Sequence, residues 1–291
     1  MKTPLLSVCL ITYNHSKYIQ QAIESILMQQ VNFDWELVVA DDFSLDGTRE
    51  ILLEYKNKYP EFITLILQSK NVGPAKNWLD LIGAPKSKYI AYIEGDDYWL
   101  DSQKLQKQVD FLEREPGFSM VHSTVRGVDK NDHPVEIHEQ KKWNHFTTSL
   151  DYRAAIFRPI AFSATLVYRN IVVIDEAQML RLISGDWALF VLLTLKGKAY
   201  CIQESMGVYR VNAGVSVNAK WFHSFPEQAK FLISQVNFRT LTLKKNLFLL
   251  RGSLYFLLIY LAEVKFKQSR YIRLIPLRLS NLLDFNVLQR F

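Results

Sequence analysis

Apolar positions in the first hundred residues alternate between two periods. Leu5 to Thr12 is an unbroken apolar run of strand length, and Tyr18 to Gln29 then places Ile19, Ala22, Ile23, Ile26 and Leu27 at helical spacing. Glu36 to Ala40 reads as a second strand. Turn chemistry over Ser44 to Thr48 leads into a helix from Arg49 to Tyr59, ended by Pro60. Ile63 to Leu67 is a third strand, Pro74 to Ile82 a helix and Tyr89 to Ile93 a central strand. This β-α-β-α-β-α-β order predicts an α/β protein with a mostly parallel, doubly wound sheet. Right-handed crossovers then bring the C-terminal ends of these strands to one edge.

Beyond Trp99 the pattern loosens. Gln103 to Glu113 reads as a helix stopped by Pro116-Gly117. Val125 to Leu150 is polar, carries His133, His138 and His145, and predicts a loop or flap over the site. Phe162 to Tyr168 is a strand candidate, Asp186 to Leu195 a helix, and Ala199 to Ile202 and Met206 to Tyr209 two short strands. The expected division is a body over residues 1–216 and a C-terminal helical tail over 217–291.

In that tail, Leu247, Leu250, Leu254, Leu257, Leu258, Leu261 and Val264 form a helical stripe interrupted by Arg251 and Glu263. The uncharged stretch Gly252 to Ala262 is well short of the roughly 20 residues that span a bilayer. A surface-lying helix is expected, with packing against the body or a second subunit as the alternative.

Charge sharpens this division. The chain of 291 residues carries a net +6, but residues 236–291 hold ten Lys/Arg against two Asp/Glu, or +8, which leaves −2 for the rest. A nearly neutral body with a basic, apolar-striped tail predicts contact with anionic lipid rather than nucleic acid. Cys9 and Cys201 are isolated, which points to a reducing compartment. Met1 to Leu6 lacks the features of a secretion signal, and a cytoplasmic protein, peripheral on the inner face of the cell membrane, is expected.

Two carboxylate clusters close two of the predicted strands. Asp41-Asp42 ends the second, and Glu94-Gly95-Asp96-Asp97 ends the central one. In an open α/β sheet this edge is where ligands bind. Adjacent carboxylates there would repel one another without a cation, and hard oxygen donors suit Mg²⁺ or Mn²⁺. Thr12-Tyr13-Asn14-His15-Ser16 follows the first strand where a dinucleotide oxidoreductase needs Gly-x-Gly-x-x-Gly, and the chain has no P-loop Gly-Lys-Ser/Thr.

Ser7-Val8-x-x-x-Thr12-Tyr13-Asn14, Asp41-Asp42-x-Ser44-x-Asp46-Gly47-Thr48, Asn71-x-Gly73, Glu94-Gly95-Asp96-Asp97, Gly185-Asp186-Trp187 and Tyr209-Arg210 occur in the order found in family 2 glycosyltransferases. The resemblance spans residues 5 to 215 and implies the GT-A fold, an inverting, metal-dependent mechanism and a nucleotide diphosphate sugar donor. It implies that Thr12, Tyr13, Asn14, Asp41, Asp42, Asn71, Lys76, Asp96 and Arg210 contact the nucleotide. Asp41 or Asp42 would read the base, and Asp96 and Asp97 would hold Mg²⁺ or Mn²⁺. Asp186 would be the catalytic base on the acceptor side.

The same residues also have plainer readings. Asp42, Ser44 and Asp46 suit a turn and helix cap, and Asp186 suits a helix N-terminus. Glu94 stands where the family usually has Asp, and Asn212 where many relatives have a His able to complete the metal site. The resemblance further implies a saccharide or lipid-linked acceptor in cell-surface polysaccharide or lipopolysaccharide assembly. The alternative is a non-catalytic membrane-bound homologue that organises such an assembly.

Overall fold

Four parallel strands form the half of the sheet that carries the acidic clusters. They are β1 (Leu6–Thr12), β2 (Trp35–Asp41), β3 (Ile63–Leu67) and β4 (Tyr89–Glu94), joined by α1 (Ile19–Leu27), α2 (Thr48–Lys58) and α3 (Pro74–Gly83). This computed structural model describes residues 3–137, 149–156, 160–182, 185–211, 213, 225–235, 237, 239 and 241–268. His138, His145, Ser184, Asn212 and the last 23 residues lie outside the described residues.

The strand order is β3-β2-β1-β4, so the chain winds outward from β1 and returns to its other side. That reversal makes a crevice at the C-terminal ends of β1 and β4. Register aligns these ends. Thr12 pairs with Asp41 across β1 and β2, and Ile11 pairs with Glu94 across β1 and β4. Leu6, Val8 and Leu10 from β1 and Leu37 and Val39 from β2 are fully buried against Ile19, Ala22, Ile23 and Ile26 of α1. Burial on both faces of the sheet explains why these strands read as continuous apolar runs.

The second half of the sheet differs from the expectation in three places. Residues 118–128, partly read as a loop, form an eleven-residue strand, β6 (Phe118–Val128). Of the predicted strand Phe162 to Tyr168, Ser163–Thr165 is a turn of 3₁₀ helix and only β9 (Val167–Arg169) is extended. The two short strands expected after Ala199 are one strand, β10 (Lys198–Arg210), with register irregularities between Ile202 and Gly207.

The order continues β4-β9-β6-β10-β5, where β5 is Tyr98–Trp99. β9 runs antiparallel to both neighbours, while β6 and β10 are parallel to one another. Two-residue strands β7 (Pro134–Val135) and β8 (Ser149–Leu150) pair with β6 and β10. The body also holds helices α4 (Lys104–Arg114) and α5 (Gly185–Lys196), besides single turns at Tyr152–Ala155 and Glu176–Met179.

The chain divides into two compact units, Met1–Asn218 and Ala219–Phe291. In the second, α6 (Phe225–Ser234) packs on α7 (Leu243–Gln268). Among the described residues no helix is long and apolar enough to cross a membrane.

Candidate active site

The loops after β1 and β2 are laced together. Asn14 adopts a left-handed backbone (φ 55°), donates its N–H to Ser44 Oγ at 2.8 Å, and accepts from the Leu45 N–H at 3.0 Å through Oδ1. Asparagine tolerates that conformation better than most residues. The His15 N–H donates to Thr48 Oγ1 at 2.9 Å, and the Ser16 N–H to Asp46 Oδ2 at 2.9 Å. Burial tends to raise the Asp46 pKa, but hydrogen bonds from Thr48 and Ser16 outweigh it and bring the group to about 2. Asn14 and Asp46 thus shape the edge, and Tyr13 beside them is half-buried.

The two neighbouring aspartates after β2 do different work. Asp41 Oδ2 accepts from Arg49 Nε at 2.8 Å and Nη2 at 2.6 Å, and from the Ser44 N–H at 3.1 Å. Its other oxygen is buried without a hydrogen-bond partner. Asp42 accepts from the Val72 N–H at 2.6 Å and the Gly73 N–H at 3.0 Å. Burial nevertheless raises the Asp42 pKa. Gly73 has φ 86°, a conformation that costs a glycine little. The Asn71-x-Gly73 motif therefore aims two amides at Asp42, while Asn71 itself is exposed.

At the end of β4 the chain passes very close to β1. A Cβ on Gly95 would lie 2.8 Å from Thr12 Oγ1 and 2.9 Å from His15 Nδ1, so any side chain there collides. His15 was not among the expected site residues, although it directly follows Thr12-Tyr13-Asn14. Its Nδ1 is 3.3 Å from Thr12 Oγ1. Burial lowers its pKa, against the opposing fields of Asp96, Asp46 and Asp41.

Negative charge accumulates on the other side of Gly95. Glu94 Oε1 accepts from Ser163 Oγ at 2.6 Å, and Oε2 is buried and unpartnered. Burial, reinforced by Asp96 and Asp186, pushes the Glu94 pKa up to about 8. Asp97 Oδ1 accepts the Arg210 backbone N–H at 2.8 Å, while Oδ2 is buried and unpartnered. Burial and the fields of Asp96 and Glu94 raise its pKa well above the carboxylate range.

Asp186 lies in the first turn of α5, where Oδ1 accepts from the Trp187 N–H at 2.8 Å. A Cβ on Gly185 would sit 3.2 Å from the Trp78 ring, so α5 starts hard against α3. The charge of Asp186 acts on Glu94 and on Tyr92, which ties the helix start to the end of β4.

Two residues expected at the ligand are also engaged by protein. Arg210 is buried, and Nε donates to the Asp96 carbonyl at 2.9 Å, Nη1 to Asp132 Oδ1 at 2.8 Å and Nη2 to Gln21 Oε1 at 2.9 Å. The guanidinium also lies 4.4 Å from the Tyr18 ring centroid. Expected beside a diphosphate, it braces the acidic turn from inside. Lys76 pairs with Asp80 and with Glu176 at 3.2 Å, on the flank of α3.

The donor set fits a divalent cation in chemistry. The turn supplies hard oxygens, two of them buried and unpartnered, and their mutual repulsion would be relieved by positive charge. Among the described residues no three His, Cys, Asp or Glu side chains converge to hold a metal alone.

A family model for glycosyl transferase family 2 matches residues 7–172. An uncharacterized Mycobacterium tuberculosis protein, Rv1520, is 30% identical over 247 residues, 85% of this chain and 69% of its own length. TuaG of Bacillus subtilis, assigned as a glycosyltransferase of teichuronic acid biosynthesis, is 32% identical over 227 residues, 75% of this chain and 83% of its own. The solved structure of S. aureus TarS 1-349 with UDP superposes with a TM-score of 0.62 at 19% identity, covering 86% of this chain and 70% of that one. The mannosyltransferase PcManGT from Pyrobaculum calidifontis, with GDP-Man and Mn²⁺, gives 0.57 at 15% identity, covering 100% and 82%. At those identities the two structures speak for the fold, which is GT-A. The chain belongs to glycosyl transferase family 2.

Proposed function

We propose that this protein transfers a sugar from a nucleoside diphosphate sugar to a hydroxyl acceptor, with inversion, in the assembly of a bacterial cell-surface polysaccharide. The carrying observation is the convergence of Thr12, Gly95, Asp96 and the Asp41–Asp42 pair at the switch point of the sheet. The edge binds the donor. Asp41 and Asp42, with Thr12 and Tyr13, form the end that takes the base, where a carboxylate oxygen suits a ring N–H. Asp96 and Asp97 form the diphosphate end. Bound there, Mg²⁺ or Mn²⁺ would neutralise the leaving diphosphate.

Asp186 is the base. It takes the proton from the acceptor hydroxyl as that oxygen attacks the anomeric carbon from the face opposite the leaving group. It stands in the first turn of α5. Named neighbours support the reading of donor class: TarS was solved with UDP and with UDP-GlcNAc, and PcManGT with GDP-Man and Mn²⁺. TuaG and the abequosyltransferase RfbV of Salmonella typhimurium support a surface polysaccharide as product. An acceptor held at the membrane, and with it peripheral membrane contact, belongs to this reading.

The test is Asp186→Asn, assayed for both donor hydrolysis and transfer. Donor affinity should be retained, and transfer should fall by roughly 10²–10⁴-fold, the usual worth of a positioned base. Turnover near the wild-type rate would leave Asp186 as a helix-start residue only. A wild-type protein that binds no nucleotide sugar would favour the non-catalytic alternative.

A further inference from the structure

Helix α7 has two faces of opposite character. Asn246, Leu249, Ser253 and Phe256 are buried, and Ser253 Oγ donates to the Ala229 carbonyl of α6 at 3.2 Å. On the other face Leu243, Leu247, Leu250, Leu254, Leu257 and Leu258 are all exposed, with Leu247, Leu254 and Leu258 at 56%. Leu243, Leu247, Leu250, Leu254 and Leu257 are spaced four and three in turn, with Leu258 four beyond Leu254, which sets them in one stripe along the helix. Lys244 and Arg251, also exposed and seven residues apart, follow one edge of that stripe. A leucine strip of this length reaches the few hundred Å² that marks an interaction surface rather than scattered exposure.

We propose that this stripe seats α7 in the headgroup region of an anionic membrane, with the helix lying along the surface. Charge selects the occupant. Residues 236–291 carry +8, and Lys244 and Arg251 adjoin the leucines directly. A second copy of the same face would bring like charges together. Residues 269–291 carry four arginines against one aspartate, so that segment is repelled in the same way. Anionic lipid attracts both the cations and the leucines. No described helix is suited to cross the bilayer, which leaves the surface-lying arrangement. The proposal deepens the reading of a membrane-held acceptor and rests on it, but vesicle binding is measured without turnover, so the two can fail separately.

The test uses full-length protein and cosedimentation with phosphatidylcholine vesicles, with and without phosphatidylglycerol. Wild type should bind the phosphatidylglycerol vesicles, bind pure phosphatidylcholine weakly, and release as salt rises. Leu250→Glu with Leu254→Glu should cut vesicle affinity by at least about tenfold, since it removes two apolar anchors. Lys244→Glu with Arg251→Glu should cut it by about fivefold or more per site on anionic vesicles only. All four residues are exposed, so the thermal midpoint should hold.

Wild type that ignores anionic vesicles at low salt overturns the proposal. So does a leucine variant with lowered midpoint and unchanged vesicle binding, which would mean that protein covers the stripe. A leucine variant that only converts a dimer to a monomer in light scattering would assign the face to a second copy. Vesicle binding lost while transfer to a soluble acceptor persists supports the surface and leaves the transferase reading intact. Failure of transfer with vesicle binding intact removes only that reading.

Discussion

The side-chain Nε of Arg210 lies 2.9 Å from the carbonyl oxygen of Asp96, and the same residue's backbone N–H reaches Asp97 Oδ1 at 2.8 Å. One residue at the end of β10 therefore grips two consecutive residues of the acidic turn. The guanidinium continues to Asp132 and Gln21, so it ties the turn to α1 and to the loop after β6. The backbone of the turn is thus held without the Asp96 carboxylate.

Arg210→Met should therefore destabilise the fold by about 2–4 kcal/mol, since the buried guanidinium loses its bonds to the Asp96 carbonyl, Asp132 and Gln21 at once. Chemical denaturation reads this as a lower midpoint with an unchanged slope. Donor affinity should fall as well, through displacement of Asp96. Intact stability combined with lost donor binding would return Arg210 to a direct ligand contact.

Gly95→Ala tests the close approach of β4 to β1. The added methyl meets Thr12 Oγ1 and His15 Nδ1 inside 3 Å. Relief by shifting the turn should cost about 1–3 kcal/mol. Nucleotide affinity should drop by a larger factor than stability alone explains, because Thr12 and Asp96 flank the displaced segment. Equal nucleotide affinity in variant and wild type would remove this turn from the donor site.

His122 gives a pH dependence of stability. Burial in β6 lowers its pKa from 6.5 to about 4, so below pH 6.5 the unfolded chain takes up the proton first. Stability from this group is complete above about pH 6.5 and is lost as pH falls towards 4. The loss should approach roughly 3 kcal/mol. In His122→Leu the difference in stability between pH 7 and pH 4 should shrink by that order. An unchanged pH profile would mean that the imidazole titrates normally in the folded state.

The half of the sheet built from β1 to β4 was legible because both faces are covered and the strands are apolar throughout. β6 was not, because Ser119, Ser123 and Thr124 interrupt its apolar pattern. Two of its polar residues find distant partners: Ser119 Oγ donates to the Leu193 carbonyl at 2.7 Å, and Thr165 Oγ1 to the Ser123 carbonyl at 3.1 Å. β10 read as two strands because Gln203 and Glu204 are exposed where the register slips. At the site, the acidic turns were legible as carboxylates closing apolar runs. The partner sets were not. Gln21 and Arg210 are 189 residues apart, and nothing local marks Arg49 as the cation on Asp41.

Calorimetric titration of UDP and GDP, each with and without Mn²⁺, into wild type and Asp96→Asn tests the central claim most directly. One nucleotide should bind wild type, and Mn²⁺ should strengthen that binding by roughly tenfold or more through shared coordination of the phosphates. Asp96→Asn should keep the metal-free affinity and lose the Mn²⁺ increment. An increment that survives in the variant, or a wild type whose nucleotide affinity ignores Mn²⁺, would contradict the assignment of the acidic turn as the site of metal-assisted donor binding.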